Sequence, residues 1–335
     1  MTLGIALLGA GRIGQVHGGA LGATPGARLV AVADTSEDAA TALIARFGGE
    51  LRDIAAIASA DDIDAVVICT PTNTHADLIE LFARAGKAIF CEKPIDLDLA
   101  RVRSCLEVVA STGAHLMVGF NRRFDPHFQA LKQAISAGQI GAVEMINITS
   151  RDPGPPPEDY IKVSGGIFKD MTIHDFDMAR FLLGEEVESV VAVASVLVDA
   201  RIGELGDFDS ANVILRTASG RQCAISNSRR ASYGYDQRIE VHGGLGMISA
   251  ENQHQVGVEI ATGDGFVRPP LAGFFMDRYV AAYAAEIGAF ISSVTDRDIA
   301  VPSGVDGLKA LEIAQAALIS VREGRKVALS EVIEI

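Results

Sequence analysis

Short apolar runs alternate with longer stretches of helical periodicity through the first third of the chain. Leu3–Leu8, Leu29–Ala33, Ala65–Cys69, Ala88–Cys91 and His115–Gly119 are nearly unbroken in apolar character, as expected of strands buried on both faces of a parallel sheet. Between them, Ser36 with Glu37 and Asp38 opens a helix that Gly48 ends, Thr74–Ala85 stops at Gly86, and Leu97–Ser111 stops near Gly113. Each has the polar start and glycine stop that helix termini favour. The alternation predicts an α/β fold built on a doubly wound parallel sheet of the Rossmann type.

The pattern changes beyond Asn121–Arg123, where the chain is expected to leave the first domain. A helix over Pro126–Ala137 leads to a strand-like run, Ala142–Thr149, and then to Pro153-Gly-Pro-Pro-Pro157, which excludes regular structure. Next comes a helix over Lys169–Leu183, stopped by Gly184. The runs Val187–Val198, Ala211–Thr217, Arg221–Asn227, Arg238–Val241 and Gln255–Ile260 follow, separated by glycine-containing turns. They predict a large, mostly antiparallel sheet. Two Ala-rich helices, Phe274–Val294 and Val305–Glu323, close the chain, and one of them is expected to pack back on the first domain. The reading is thus residues 1–121 as a nucleotide-binding domain and 122–335 as an α+β domain. A length of 335 residues suits two cores better than one.

Composition narrows the function. Apolar residues make up 49% and charged residues 21%, ordinary for a globular enzyme. A formal charge of −14 and a pI near 4.9 oppose nucleic acid as a partner, although a helix N-terminus can still hold an anionic cofactor. Cys69, Cys91, Cys105 and Cys223 lack metal or disulfide spacing, so a reducing cytoplasm is expected. Leu3–Leu8 is short and has no basic flank, which suits a first strand better than a signal peptide, and no stretch is long enough to span a bilayer.

The first strand runs directly into Gly9-Ala10-Gly11-Arg12-Ile13-Gly14. In such a loop the first glycine permits a tight turn, the second lets backbone approach a pyrophosphate, and the third lets helix pack on strand. Asp34 stands 20 residues beyond Gly14 at the end of the second strand, where a carboxylate accepts both ribose hydroxyls and repels a 2′-phosphate. No Arg follows in Thr35-Ser36-Glu37, so NAD is favoured over NADP. A plain cap for the helix at Ser36 is the other reading of Asp34. Thr70, Asn73 and His75 follow the strand ending at Cys69 and would line the same crevice, with helix capping an equal alternative for His75.

Glu92-Lys93-Pro94 lies at another strand's carboxyl end, where open α/β sheets bind ligands. A Lys93 ammonium there would stabilise a developing alkoxide; a solvated lysine is the plain alternative. Asp170 and His174, four apart, fall on one face of the predicted helix. His174 would take an alcohol proton while Asp170 orients it or bridges to Lys93. Asp175 and Asp177 read equally well as a solvated helix face. With no second histidine nearby and no HExxH, no metal site is expected.

Together the glycine loop, Glu92-Lys93-Pro94 and the Gly-Gly-x-x-x-Asp-x-x-x-His-Asp element at Gly165–Asp175 resemble the Gfo/Idh/MocA oxidoreductase family over nearly the whole chain. The strings Asn121–Pro126, Ser150–Pro153, Phe168–Phe181 and Ser228–Gln237 resemble its inositol 2-dehydrogenase branch. The resemblance implies oxidation of myo-inositol to scyllo-inosose with NAD, a Lys93/Asp170/His174 catalytic set, Glu92 beside the cofactor, and a homotetramer assembled through the open sheet. It also makes Arg122, Asp152, Thr172, Tyr233 and Tyr235 candidates, with the catalytic set, for gripping the substrate. A neutral polyol suits these groups better than a 2-hydroxy acid, because adjacent Arg122 and Arg123 would not both face one pocket in extended chain. The segments 199–209 and 262–273 match no recognised pattern and leave the polyol open. A dehydrogenase for scyllo- or chiro-inositol or glucose is the nearest alternative; an NAD-sensing protein without turnover is a further one, though it has no need of the catalytic set.

Overall fold

A computed structural model describes residues 2–333. The chain divides into two units, Met1–Phe124 with Ala281–Leu311, and Asp125–Val280 with Glu312–Ile335.

In the first unit the strands are β1 (Leu3–Leu8), β2 (Ala27–Ala33), β3 (Glu50–Leu51), β4 (Ala65–Ile68), β5 (Ala88–Glu92) and β6 (Leu116–Gly119), all parallel in the order β3-β2-β1-β4-β5-β6. Helices α1 (Arg12–Ala23), α2 (Glu37–Phe47), α3 (Ile54–Ser59), α4 (His75–Arg84) and α5 (Leu99–Thr112) connect them. β1, β4 and β5 are buried along their whole length, which accounts for their unbroken apolar runs. The polar start expected at Ser36 is used, its Oγ accepting the Ala39 N–H of α2; Thr74 makes no side-chain cap for α4, and α5 is capped by Asp98, whose Oδ1 accepts the Arg101 N–H. The core also takes in Ile287, Phe290 and Ile291 from the Ala-rich helix near the C-terminus.

The second unit contains α6 (Pro126–Ser136), β7 (Val143–Arg151), α7 (Glu158–Ser164), α8 (Gly166–Asp170), α9 (Ile173–Leu183), β8 (Val187–Ser195), α10 (Ala200–Glu204), β9 (Ser210–Thr217), β10 (Gln222–Ser228), β11 (Asp236–Gly243) and β12 (Gly246–Ala250). A separate hairpin pairs β13 (Ile260–Thr262) with β14 (Gly265–Val267), followed by α11 (Phe275–Arg278). The long helices α12 (Val280–Thr295) and α13 (Gly304–Glu323) each contribute residues to both units, and β15 (Val327–Ala328) and α14 (Ser330–Ile333) complete the chain. The main sheet runs β12-β11-β7-β10-β9-β8-β15; only β7 and β10 are parallel neighbours. One face is buried and the other exposed, and across the exposed face Ala224, Ile214 and Val191 stand opposite one another in adjacent strands.

Three expectations change in detail. The helix over Lys169–Leu183 is two helices, α8 and α9, because the Thr172 hydroxyl donates to Asn227 Oδ1 at 2.7 Å and anchors the junction to β10. The helix over Phe274–Val294 breaks at Tyr279, where Arg278 turns inward to fork onto the buried Asp125 carboxylate at 2.5 and 3.2 Å. Gln255–Ile260 joins no long strand: Val256, Val258 and Ile260 are all exposed, and only Ile260 enters the small hairpin.

Candidate active site

The parallel sheet gathers the first group of candidates at its carboxyl edge. Gly9 has φ of 93°, open to glycine alone at low cost, and a Cβ there would stand 2.6 Å from the Cys69 carbonyl oxygen. Gly14 is packed so closely that a Cβ would lie 1.9 Å from the Gly9 carbonyl oxygen. A Cβ on Gly11 would meet nothing within 4 Å, so the loop's middle glycine faces open space at the start of α1. This division of labour fits a dinucleotide: turn, open approach, close packing. Arg12 is exposed beside Gly11, whereas Ile13 packs on the core.

Asp34 directly follows β2. Its Oδ2 accepts the Ala10 N–H at 2.5 Å and its Oδ1 the Ser36 N–H at 2.7 Å, so one carboxylate ties the glycine loop to the start of α2. The capping and cofactor readings of Asp34 are therefore compatible, since a carboxylate has further lone pairs to offer. At β4, the Thr70 hydroxyl is bonded to Thr74 Oγ1 at 2.7 Å, and Asn73 is exposed in the turn that follows. His75 points inward: Nδ1 lies 2.8 Å from the Pro94 carbonyl oxygen and Nε2 2.7 Å from that of Thr70. Burial holds its pKa below the ordinary value, opposed by the two carbonyls.

Lys93 is half-buried immediately after β5. Glu92, the last residue of β5, is buried. Its Oε1 takes His17 Nε2 at 2.7 Å and its Oε2 the Lys93 N–H at 3.3 Å. Arg122 is buried in the turn after β6, and Arg123 pairs with Asp306 at 2.8 Å.

The second unit carries the rest. Asp170 ends α8, accepting the Tyr160 hydroxyl at 2.8 Å on one oxygen, while the buried Arg229 guanidinium stands 3.8 Å from the other and 3.2 Å from Asp207. His174 lies in the first turn of α9. On either side of it in sequence, Thr172 and Asp175 share Asn227, which accepts from Thr172 through Oδ1 and donates to the fully buried Asp175 through Nδ2 at 2.8 Å. Asp175 and Asp177 are thus buried and not a solvated face; Asp177 has Arg180 at 3.9 Å. Asp152 is half-buried just past β7, its N–H donating to the Ser228 carbonyl. Tyr233 is half-exposed and donates to Asp236 Oδ2 at 2.6 Å, while Tyr235 is buried edge-on to Tyr279 and Phe274.

Sequence reasoning missed His17, Asn227 and Arg229. His17 sits in a Gly- and Ala-rich helix, and the other two lie in a strand and the turn after it; none has local spacing that marks a function. Only their burial identifies them.

Comparison with known proteins identifies the family. The profile of an oxidoreductase family with an NAD-binding Rossmann fold matches residues 3–120, and that of the GFO/IDH/MocA C-terminal domain matches residues 128–249. An inositol 2-dehydrogenase of Rhizobium meliloti is 65% identical over 330 residues, 98% of this chain and 100% of that protein. The crystal structure of a myo-inositol dehydrogenase from Corynebacterium glutamicum, 43% identical, superposes with a TM-score of 0.95 over 98% of this chain and 99% of that one. That of a scyllo-inositol dehydrogenase from Lactobacillus casei, with NAD(H) and scyllo-inositol bound, is 27% identical with a TM-score of 0.91, covering 98% of this chain and all of the other.

Proposed function

The chain belongs to the Gfo/Idh/MocA oxidoreductase family, and from that premise we propose that it is an NAD-dependent inositol 2-dehydrogenase, oxidising myo-inositol to scyllo-inosose. The observation that carries this is the full-length likeness to an inositol 2-dehydrogenase at 65% identity. The open space at Gly11 and the carboxylate of Asp34 fit NAD. When bound, NAD accepts the hydride from the substrate's carbinol carbon.

The chain's own part is the proton and the developing charge. His174 takes the hydroxyl proton, the Lys93 ammonium stabilises the alkoxide as it forms, and Asp170 orients this set. Tyr160 and Arg229 restrain the Asp170 carboxylate, which supports an orienting role. Arg122, Asp152 and Tyr233 hold ring hydroxyls. Thr172 and Tyr235 act from behind, since the first anchors α9 through Asn227 and the second is packed among aromatic rings. Lys93 and Arg122 belong to the first unit, and Asp152, Asp170, His174 and Tyr233 to the second.

Assembly as a homotetramer through the open sheet is supported by exposed Met145, Val191, Val193, Ile214 and Met247, an apolar surface larger than lone exposed residues explain. A reducing cytoplasm is supported by four free, buried cysteines. Among the described residues no helix is long and apolar enough to cross a membrane. The function is tested by NADH formation at 340 nm with myo-, scyllo- and chiro-inositol, glucose and xylose, using NAD and NADP. Preference for myo-inositol with NAD is expected. Turnover of another polyol alone would replace the substrate, and NAD binding without turnover on any would overturn the enzyme reading.

A further inference from the structure

Two histidines that the mechanism leaves unused are buried beside the same tripeptide. His17, in α1, and His75, at the start of α4, are 0% and 1% exposed. His17 holds Glu92 through Nε2 at 2.7 Å, and His75 Nδ1 lies 2.8 Å from the Pro94 carbonyl oxygen. Glu92 in turn accepts the Lys93 N–H. Lys93 therefore sits between two residues that are each fastened to a different helix.

We propose that His17 and His75 are positioning residues that clamp Glu92-Lys93-Pro94 from both sides and so set where the Lys93 ammonium stands. The inference rests on the role given to Lys93 above. His17 does so from the helix that opens at the glycine loop, five residues after Arg12, so the clamp also ties the cofactor-binding helix to the catalytic lysine. A buried imidazole must find polar partners somewhere, and these two find theirs on either side of Lys93.

The surroundings are built for the Glu92 link. A Cβ on Gly119, in the neighbouring strand, would press within 3.3 Å of the Glu92 carboxyl, so glycine leaves the room that this side chain occupies. The aromatic rings of Phe90 and Tyr283 meet the His17 imidazole edge-on at 5.0 and 5.5 Å and fix its plane. Glu286, in α12, is fully buried with neither carboxyl oxygen hydrogen-bonded among the described residues. Burial and the charge of Glu92 push its pKa well up.

The test combines turnover with a probe of Lys93 itself. The protein contains seven lysines; grown on lysine labelled with ¹³C at Cε, it gives few enough NMR signals for Lys93 to be identified by Lys93→Arg. His17→Leu and His75→Leu are each expected to move the Lys93 signal and lower kcat about 10- to 100-fold, the scale of a misplacement near 1 Å, with the NAD dissociation constant changed less than about threefold. His17→Gln, which retains an N–H donor, is expected to restore most of kcat. If the leucine variants lower only the melting temperature, with kcat per folded molecule and the Lys93 signal unchanged, the clamp is refuted. Should they fail to fold, the isosteric Glu92→Gln is expected to shift the signal and lower kcat, and its leaving both unchanged refutes the clamp equally. Wild-type protein inactive on every polyol would sink the function, not the clamp, which is then judged on the Lys93 signal alone.

Discussion

Replacing single glycines in the nucleotide loop separates its structural from its binding role. A methyl at Gly11 meets no atom within 4 Å, and the residue's φ of −67° and ψ of −165° suit alanine. As the N-cap of α1, Gly11→Ala costs roughly 0.5–1 kcal/mol in capping, offset by about 0.4–1 kcal/mol from a less flexible unfolded chain. Stability should therefore change by under about 0.5 kcal/mol. Cofactor affinity should not survive, because the methyl occupies the space through which backbone N–H groups reach a pyrophosphate. Losing one charge-assisted hydrogen bond worth about 1.5–3 kcal/mol weakens binding about 10- to 150-fold. Gly14→Ala should behave oppositely. Its Cβ would stand 1.9 Å from the Gly9 carbonyl oxygen, a clash relieved only by moving backbone, at a cost of about 3 kcal/mol or more. Isothermal titration with NAD and denaturant unfolding of both variants supply the comparison. Gly11→Ala binding NAD within about twofold of wild type, with unchanged stability, would refute the placement of the pyrophosphate at this loop.

Asp34→Ser should weaken NAD more than NADP, measured as separate kcat/KM values; equal losses would mean that the loss of the Ala10 contact, not ribose recognition, dominates. For His174→Ala, the rise of kcat/KM with pH through a single ionisation should disappear, and a variant that keeps the wild-type profile would remove His174 as the base. His115, stacked on Phe290 and bonded to Ser293, has its pKa pushed down to about 4 by burial. The native state then binds fewer protons than the unfolded chain below pH about 6.5, so stability falls as pH drops from about 6.5 toward 4. Between pH 7 and 5 the loss is about 1 kcal/mol after halving for partial solvent exposure, and His115→Gln should abolish that share in urea titrations at the two pH values.

The first unit was legible because its signals are local. A strand buried on both faces must be apolar throughout, and a glycine loop after the first strand must carry its turn, approach and packing residues in sequence. The second unit is governed by longer-range choices. Whether 169–183 forms one helix depends on Asn227 in β10 capturing the Thr172 hydroxyl, and whether the helix over 274–294 continues depends on Asp125 capturing Arg278. Neither partner is near in sequence, so periodicity alone extends both helices through the break. The exposed Val256, Val258 and Ile260 mislead for a related reason: alternation marks a strand only where one side finds a core.

The site divides along the same line. Residues offered to a ligand were found from motif and position, since Gly11, Asp34 and Lys93 lie where a parallel sheet ends its strands. The contacts that hold those groups were not, because a buried His17 looks in sequence like any histidine of a Gly-rich helix, and Glu92, named only as a cofactor candidate, shows nothing there that marks His17 as its partner. A carboxylate buried at a strand end is stable only with donors brought to it, and here they come from α1 and from the Lys93 amide. The chemistry of Glu92-Lys93-Pro94 is therefore local in sequence only at the lysine. Its geometry belongs to the helices around it, which is why substitutions at His17 in α1 or His75 in α4 are the ones expected to misplace the reacting ammonium.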